Sequence, residues 1–155
     1  RGYYYAPHVI RKVGTENPLE KWSIKHYTLV TDKAAYENVI SGMANVLVSG
    51  TARSSAIPGI EMCGKTGTAQ NPHGDNHAVF VCFAPRVNPK ICVAVLVENA
   101  GQGAWWSAPI ASLMVEQYLT GKISGEARLS IKKLMEESDL IHLDPTIKKT
   151  NPAYW

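Results

Sequence analysis

The sequence predicts an α+β fold in which a three-stranded antiparallel meander packs against helices, and three observations carry that reading. Three β-favouring runs, 60–70, 77–84 and 91–98, are separated by NPHGDN and PRVNPK, links that suit hairpins and are too short for parallel crossovers. Helical periodicity brackets them, with Tyr36, Val39, Ile40, Met43, Val46 and Leu47 before and Ile110, Leu113, Met114, Val115 and Tyr118 after. The 155 residues, 45% hydrophobic and 19% charged, have an ordinary globular composition, which excludes collagen-like, coiled-coil and disordered classes.

Each element has a local reason. Residues 3–13 read as a strand or extended arm through Tyr3, Tyr5, Val9 and Val13, interrupted by Pro7 and followed by a loop at Gly14, Asn17 and Pro18. Thr31 or Asp32 is placed to cap the first helix, which runs to Gly50 with Tyr36 on its apolar stripe. Hairpin centres near Pro72–His73 and near Val87 set Cys63, Cys82 and Cys92 side by side on one sheet face, as small packed thiols. Their odd number and the lack of CxxC spacing argue against a disulfide framework or a zinc site. Ser107 is the expected cap of a second helix with Pro109 in its first turn, ending at Gly121 and apolar nearly all round, hence buried. A third helix, about 126–138, carries Ala127, Ile131, Leu134 and Met135 on one stripe, and the tail 144–155 has no period.

Charge and hydropathy narrow the function. A net charge of +3 with no clustered basic face gives no nucleic-acid footprint. No cofactor motif is present, and no apolar run approaches the roughly 20 residues of a membrane span. Arg1 falls in extended structure, so the start of the protein is expected upstream.

The strongest chemical signal is GKTGTAQ, Gly64–Gln70, with Lys-Thr-Gly on the edge strand of the meander. By chance KTGT arises in roughly one chain per thousand of this length. An edge-strand lysine holds an ammonium over a cleft, where it attracts a carboxylate and favours proton loss from a nearby hydroxyl. Thr66 and Thr68, two residues apart, turn both hydroxyls to one side. Gly67 between them admits close approach of another backbone, and the free edge amides suit an extended peptide or an oxyanion. The plainer alternative is a solvated lysine beside two β-favouring threonines.

GTARSSAIPGIEMCGKTGTAQ, HAVFVCFAP and NPKICVAVLVENAGQGAWWSAPIASLMVEQYLTG together resemble the C-terminal part of the transpeptidase domain of class B penicillin-binding proteins, most of all the elongation-type penicillin-binding protein 2 group. The resemblance covers about Tyr3–Gly121, so residues 1–122 are assigned to that domain and 123–155 to a lineage-specific helix and tail. It implies a five-stranded sheet of which the meander is part, and a serine acyltransferase that cross-links peptidoglycan stem peptides ending in D-Ala-D-Ala and is acylated by β-lactams. Carried over by motif, Lys65 gives electrostatic assistance and Thr66 and Thr68 hold the substrate carboxylate. Gly67 lines the substrate strand, the Thr68 backbone N–H serves the oxyanion hole, and Gln70 touches the donor peptide. The parent is then expected to carry one N-terminal membrane anchor, with this domain on the outer, periplasmic side of the cytoplasmic membrane beside a partner glycosyltransferase.

The family also needs an S-x-x-K nucleophile motif and an S-x-N motif upstream of KTG, and neither occurs before Lys65. The only S-x-x-K, Ser130–Lys133, lies downstream on a surface helix, where about 0.7 such matches arise by chance. Tyr36–Asn38 mimics a Y-x-N motif, but Tyr36 reads as core. His73, Asp75 and His77 form a conceivable metal trio that reads better as a polar turn, and Trp105 and Trp106 suit core packing or the cleft edge. The nucleophile is therefore expected outside this chain, and the isolated chain is expected to be inactive, with an uncovered VAVLVEN strand prone to self-association or to pairing with the remainder of its domain. A β-lactamase and a non-catalytic β-lactam sensor share the same strand and stand as alternatives.

Overall fold

Among the residues described by the computed structural model (2–10, 12, 14–15 and 22–140) the chain forms β1 Tyr3–Tyr5, β2 Lys25–Tyr27, α1 Lys33–Val48, β3 Cys63–Ala69, β4 His77–Ala84, β5 Ile91–Val97, α2 Ser107–Thr120 and α3 Glu126–Glu137, with a 3-10 turn at Arg53–Ser55. The α+β expectation is met, and the described strands form a two-stranded sheet, β1–β2, and a three-stranded meander, β3–β4–β5. The chain divides into two compact units, Arg1–Val39 and Ile40–Trp155, with the division falling within the sequence of α1.

In the first unit β1 pairs antiparallel with β2, Tyr3 opposite Tyr27. Among the described residues of the expected 3–13 arm only Tyr3–Tyr5 is strand, and Arg11, Val13 and the tail beyond Leu140 lie outside the described residues. The three-residue β2 is too short to show an alternation. Lys25 sits over the Tyr3 ring at 4.6 Å and Tyr4 stacks on His26. Asp32 is the cap of α1, its Oδ1 accepting the Ala34 N–H at 2.8 Å. Tyr36 is half-buried and not a core residue, because its hydroxyl is held by the Thr28 hydroxyl at 2.6 Å and donates to the Val30 carbonyl at 3.1 Å.

In the second unit the two faces of the meander separate by alternation. Phe80, Cys82, Ala84 and Val93 pack with Ala108, Ala111 and Val115 of α2, joined by Leu47, Ala52, Ile57 and Met62. Burying a side chain such as Phe80 is worth about 1.5–3 kcal/mol. On the other face Ile40 and Ala44 of α1 cover Cys63, with Met43 and Phe83 alongside. The buried row of α1 is thus Ile40, Ala44 and Leu47, and Val39, expected on the apolar stripe, is exposed. Arg86 ties three segments together, donating to Glu61 Oε1 at 2.7 Å and to Ser41 Oγ at 2.9 Å.

The observed register corrects the cysteine arrangement. Cys63 pairs with Phe83, which pairs with Cys92, whereas Cys82 lies between Gly64 and Val93. Both pairings are slipped by one residue from the expected register, and a one-residue slip exchanges the faces of a strand. The slip puts Phe80, Cys82 and Ala84 under α2, where apolar area is buried; the second turn accommodates it with Asn88 at φ 53°. Cys82 therefore faces away from the side shared by Cys63 and Cys92, none of the three forms a disulfide, and Cys92 is exposed. Burial first, then the nearby Cys92, pushes the Cys82 thiol up to about 11, opposed by a hydrogen bond from the Val93 backbone.

The helices after the meander also differ in detail from expectation. Ser107 is the first residue of α2 and its hydroxyl donates to the Gly103 carbonyl at 2.9 Å, so it is not the cap; Trp106 occupies that position. Gly121 at φ 77° closes the helix as expected. Met114 and Tyr118 are exposed, so α2 is buried on one side only. In α3 the buried residue is Arg128, and Ala127 is exposed. Arg128 Nε meets Glu116 Oε2 at 2.7 Å with both side chains 4% exposed, Nη2 donates to Ser112 Oγ at 3.0 Å, and the other Glu116 oxygen accepts the Ser124 N–H at 3.0 Å. An apolar stripe is the stronger sequence signal, so this polar lock between α2 and α3 was not foreseen.

Two outcomes follow from this packing. Arg128→Ala leaves Glu116 charged in a buried site and is expected to cost about 3–5 kcal/mol in denaturant unfolding, whereas a loss below about 1 kcal/mol would mean that solvent screens the pair. A thiol reagent should modify Cys92 in the folded chain and reach Cys63 and Cys82 only on unfolding; modification of Cys82 at the rate of Cys92 would contradict the register.

Candidate active site

The KTG segment occupies the edge of the meander because β3 pairs with β4 on one side and has no strand partner on the other among the described residues. Its register, Gly64↔Cys82, Lys65↔Val81, Thr66↔Phe80, Gly67↔Val79 and Thr68↔Ala78, assigns every side chain a face. Thr66 and Thr68 share the face that packs on α2, as their spacing requires. Lys65 and Gly67 lie on the opposite face, in line with Val81, Ala94, Val79 and Leu96, of which Val81, Ala94 and Leu96 are exposed. The lysine and the two threonines thus reach the open edge from opposite faces of the strand.

Lys65 is exposed and its Nζ donates to the Thr66 carbonyl at 2.8 Å. A carbonyl that accepts from an exposed lysine tip lies outside the β3–β4 ladder. Backbone groups two residues apart point the same way, so the Thr68 N–H shares that open side. Thr66 is half-buried and its hydroxyl lies 3.0 Å from that of Thr51, while Thr68 and Gln70 are exposed. Gln70 lies one residue beyond the last paired residue, Ala69. Thr51 was missed by sequence reasoning because it falls in a turn-rich run with no period, and only the sheet brings it to Thr66.

Glycines set how closely backbones approach here. A Cβ on Gly67 would stand 3.3 Å from Val79 Cβ, a tight contact that a shift of a few tenths of an ångström would relieve. Gly103 is stricter, since a Cβ there would fall 2.1 Å from the Val79 carbonyl oxygen and 2.8 Å from that of Gly67. The loop before α2 therefore rests directly on the β3–β4 backbone beneath the KTG strand.

Other candidates are not brought to this edge. Trp106 is buried with Ala78 and Ala100, and the half-buried Trp105 packs on the same cluster. His77 Nδ1 accepts the Asn99 N–H at 3.1 Å, and no group of three metal-ligating side chains occurs among the described residues. Ser130 donates its hydroxyl to the Glu126 carbonyl at 2.9 Å and Lys133 lies 3.9 Å from Glu137, so each is engaged within α3. No described helix is long and apolar enough to cross a membrane.

Comparison with known proteins agrees with this geometry. Residues 1–116 match the family model of the penicillin-binding protein transpeptidase domain. The chain is 33% identical over 132 residues to the peptidoglycan D,D-transpeptidase MrdA of Haemophilus influenzae, covering 70% of this chain and 20% of that protein. It is 39% identical over 79 residues to the peptidoglycan D,D-transpeptidase PbpA of Mycobacterium tuberculosis, covering 45% of this chain and 16% of that protein. Among solved structures, Pseudomonas aeruginosa PBP2 in complex with WCK 5153 superposes with a TM-score of 0.59 at 34% identity, over 67% of this chain and 23% of that one. The chain thus spans about a fifth of the length of such relatives, and the likeness to MrdA and PBP2 bears out the class B, penicillin-binding protein 2-like resemblance. An open-edged KTGT strand backed by α2 and a family match over three quarters of the sequence lead to one conclusion: this chain belongs to the penicillin-binding protein transpeptidase domain family.

Proposed function

We propose that the chain supplies the KTG wall of a serine-type peptidoglycan D,D-transpeptidase, and that the nucleophile comes from a segment outside these residues. The observation that carries the reading is Lys65-Thr66-Gly67-Thr68 on the open edge of the meander in a member of this family. A serine hydroxyl would attack the penultimate D-Ala carbonyl of a stem peptide, forming the acyl ester and expelling the terminal D-Ala as a protonated amine. An amine of a neighbouring stem would then displace the serine oxygen and leave a cross-link. The M. tuberculosis relative has been captured as a ceftriaxone acyl-enzyme, at 29% identity and a TM-score of 0.54, which supports the same covalent chemistry with β-lactams here.

Each residue has a charge-based task in this reading. Lys65 favours loss of the serine proton and draws in the substrate carboxylate. Thr66 and Thr68 donate hydroxyls to that carboxylate, Gly67 lets the peptide lie close, the Thr68 N–H meets the developing oxyanion, and Gln70 contacts the donor peptide further along the edge. The names of the curated relatives favour transpeptidation over β-lactam hydrolysis or sensing. The whole protein is then anchored in the cytoplasmic membrane with this domain outside it, working beside a glycosyltransferase. Residues 123–155 form a lineage-specific addition to the domain ending near residue 122.

The decisive test is intact mass after incubation with a β-lactam. The isolated chain should gain no adduct, and the full-length protein should gain one drug mass that Lys65→Ala slows by roughly a hundredfold or more. An adduct on the isolated chain, or parental acylation with Lys65→Ala, would overturn the assignment. The exposed Leu96 face and the outer side of β5, unpaired among the described residues, should make the isolated chain associate in light scattering; a monodisperse, cooperatively folding monomer would count against this.

A further inference from the structure

The KTG strand ends at a point where a sheet offers least support. Ala69, opposite His77, is its last paired residue, so the outer half of the edge, Thr68 to Gln70, is held on one side only. Immediately beyond it Asn71 makes a set of contacts that the catalytic reading does not use. Its Nδ2 donates to Asn99 Oδ1 at 2.7 Å, its Oδ1 accepts the His73 N–H at 3.0 Å, and its own N–H donates to Asn76 Oδ1 at 3.4 Å. The His73 N–H fixes which end of the Asn71 amide is oxygen, and hence that Nδ2 faces Asn99.

The partner loop is held as firmly. Asn99 stands at φ 53°, the left-handed conformation that asparagine adopts more readily than most other non-glycine residues. Its N–H donates to His77 Nδ1 at 3.1 Å, and two residues on the Gly101 N–H donates to the Asn76 carbonyl at 2.7 Å. From there the loop descends to Gly103 on the Gly67 and Val79 carbonyls. Gly74 closes the arrangement from outside, since a Cβ there would lie 2.7 Å from Asn99 Oδ1 and 3.2 Å from Asn71 Nδ2. The β3–β4 turn and the loop before α2 are therefore joined across the end of the KTG strand.

From this geometry we infer that Asn71 and Asn99 form a latch fixing the Thr68–Gln70 end of the edge strand, and that Asn71 is a positioning residue for acyl transfer. The inference rests on the transpeptidase reading, because it is the Thr68 N–H and Gln70 that the latch holds in register. A misplacement of about 1 Å in such a site costs up to a hundredfold in rate.

The test uses the full-length protein, measuring penicillin acylation as a limiting rate and a saturation constant, and hydrogen exchange at the 68–70 and 101–103 amides. Asn99→Asp keeps an oxygen facing Asn71 Nδ2, and in Asn71→Asp the Asn99 amide can rotate to donate, so each single variant should stay within about 1.5-fold of the parent rate. The double variant sets two carboxylates against each other and should lower the limiting rate by roughly tenfold, leave saturation little changed, and speed exchange at both segments. Gly74→Ala, which displaces the Asn99 amide and spares the backbone, should reproduce the double variant. Parental rates in the double variant and in Gly74→Ala, with Lys65→Ala still slow, would overturn the latch and leave the transpeptidase reading intact. Additive losses from the two single variants, or faster exchange throughout the domain, would reduce the pair to a structural role and also overturn it. Parental acylation in Lys65→Ala would instead remove the reading on which the latch depends.

Discussion

Burial of Phe80 beneath α2, against a strand that carries glycine at position 64, is the constraint on which the rest of the meander depends. The ring is fully buried, and a Cβ on Gly64 would stand 2.4 Å from its Cζ. A slip of β3 by one residue would set Cys63 or Lys65 in the place of Gly64, with a side chain where the ring now lies. Register, face and edge therefore follow from one contact. With Gly64 over Phe80, Thr66 and Thr68 turn toward the α2 face, Lys65 turns to the other, and the alternating backbone groups open the Thr68 N–H to the outside.

Small residues extend the same logic to the helices. Ala108 and Ala111 let α2 lie close on Phe80, Cys82 and Ala84, and Gly103 lets the preceding loop rest on two strand carbonyls. The buried contact of α2 with α3 is polar instead. Glu116 and Arg128 bring two charges out of water to fix α3, an arrangement whose desolvation cost offsets much of its attraction, so it specifies the position of α3 more than it adds stability. The family model matches residues 1–116, so α3 lies beyond the matched segment.

Much of this was legible in the sequence, and the misses share a cause. Hairpin lengths gave the meander, periodicity gave α1 and α2, and the Lys-Thr-Gly-Thr run marked the edge strand within two or three residues of its bounds. Patterns that repeat within one element are visible in a single segment. The cysteine register, Thr51 beside Thr66, Arg128 against Glu116, and Asn71 against Asn99 are all pairings between segments distant in sequence, decided by which side chains fill the space under α2. Tyr36 shows the limit from the other direction. It stands on a helical stripe, yet its hydroxyl pairs with the Thr28 hydroxyl and the Val30 carbonyl, and that polar demand leaves it half-buried.

An edge strand that receives an extended peptide must remain unpaired, and this sets a conflict between recognition and rigidity. In the proposed reading the hydrogen bonds that would stiffen its outer side are left for the ligand, and Gly67, which would give the ligand backbone room, weakens the strand further. Rigidity has to come from the other three directions. From the inner side it comes through the β4 ladder, from below through Thr51, Gly103 and the Phe80 core, and from the end through the Asn71 and Asn99 loops. The residues that make an open edge usable for catalysis are consequently the ones that never touch the substrate, and they are found by asking what holds each exposed backbone amide in place.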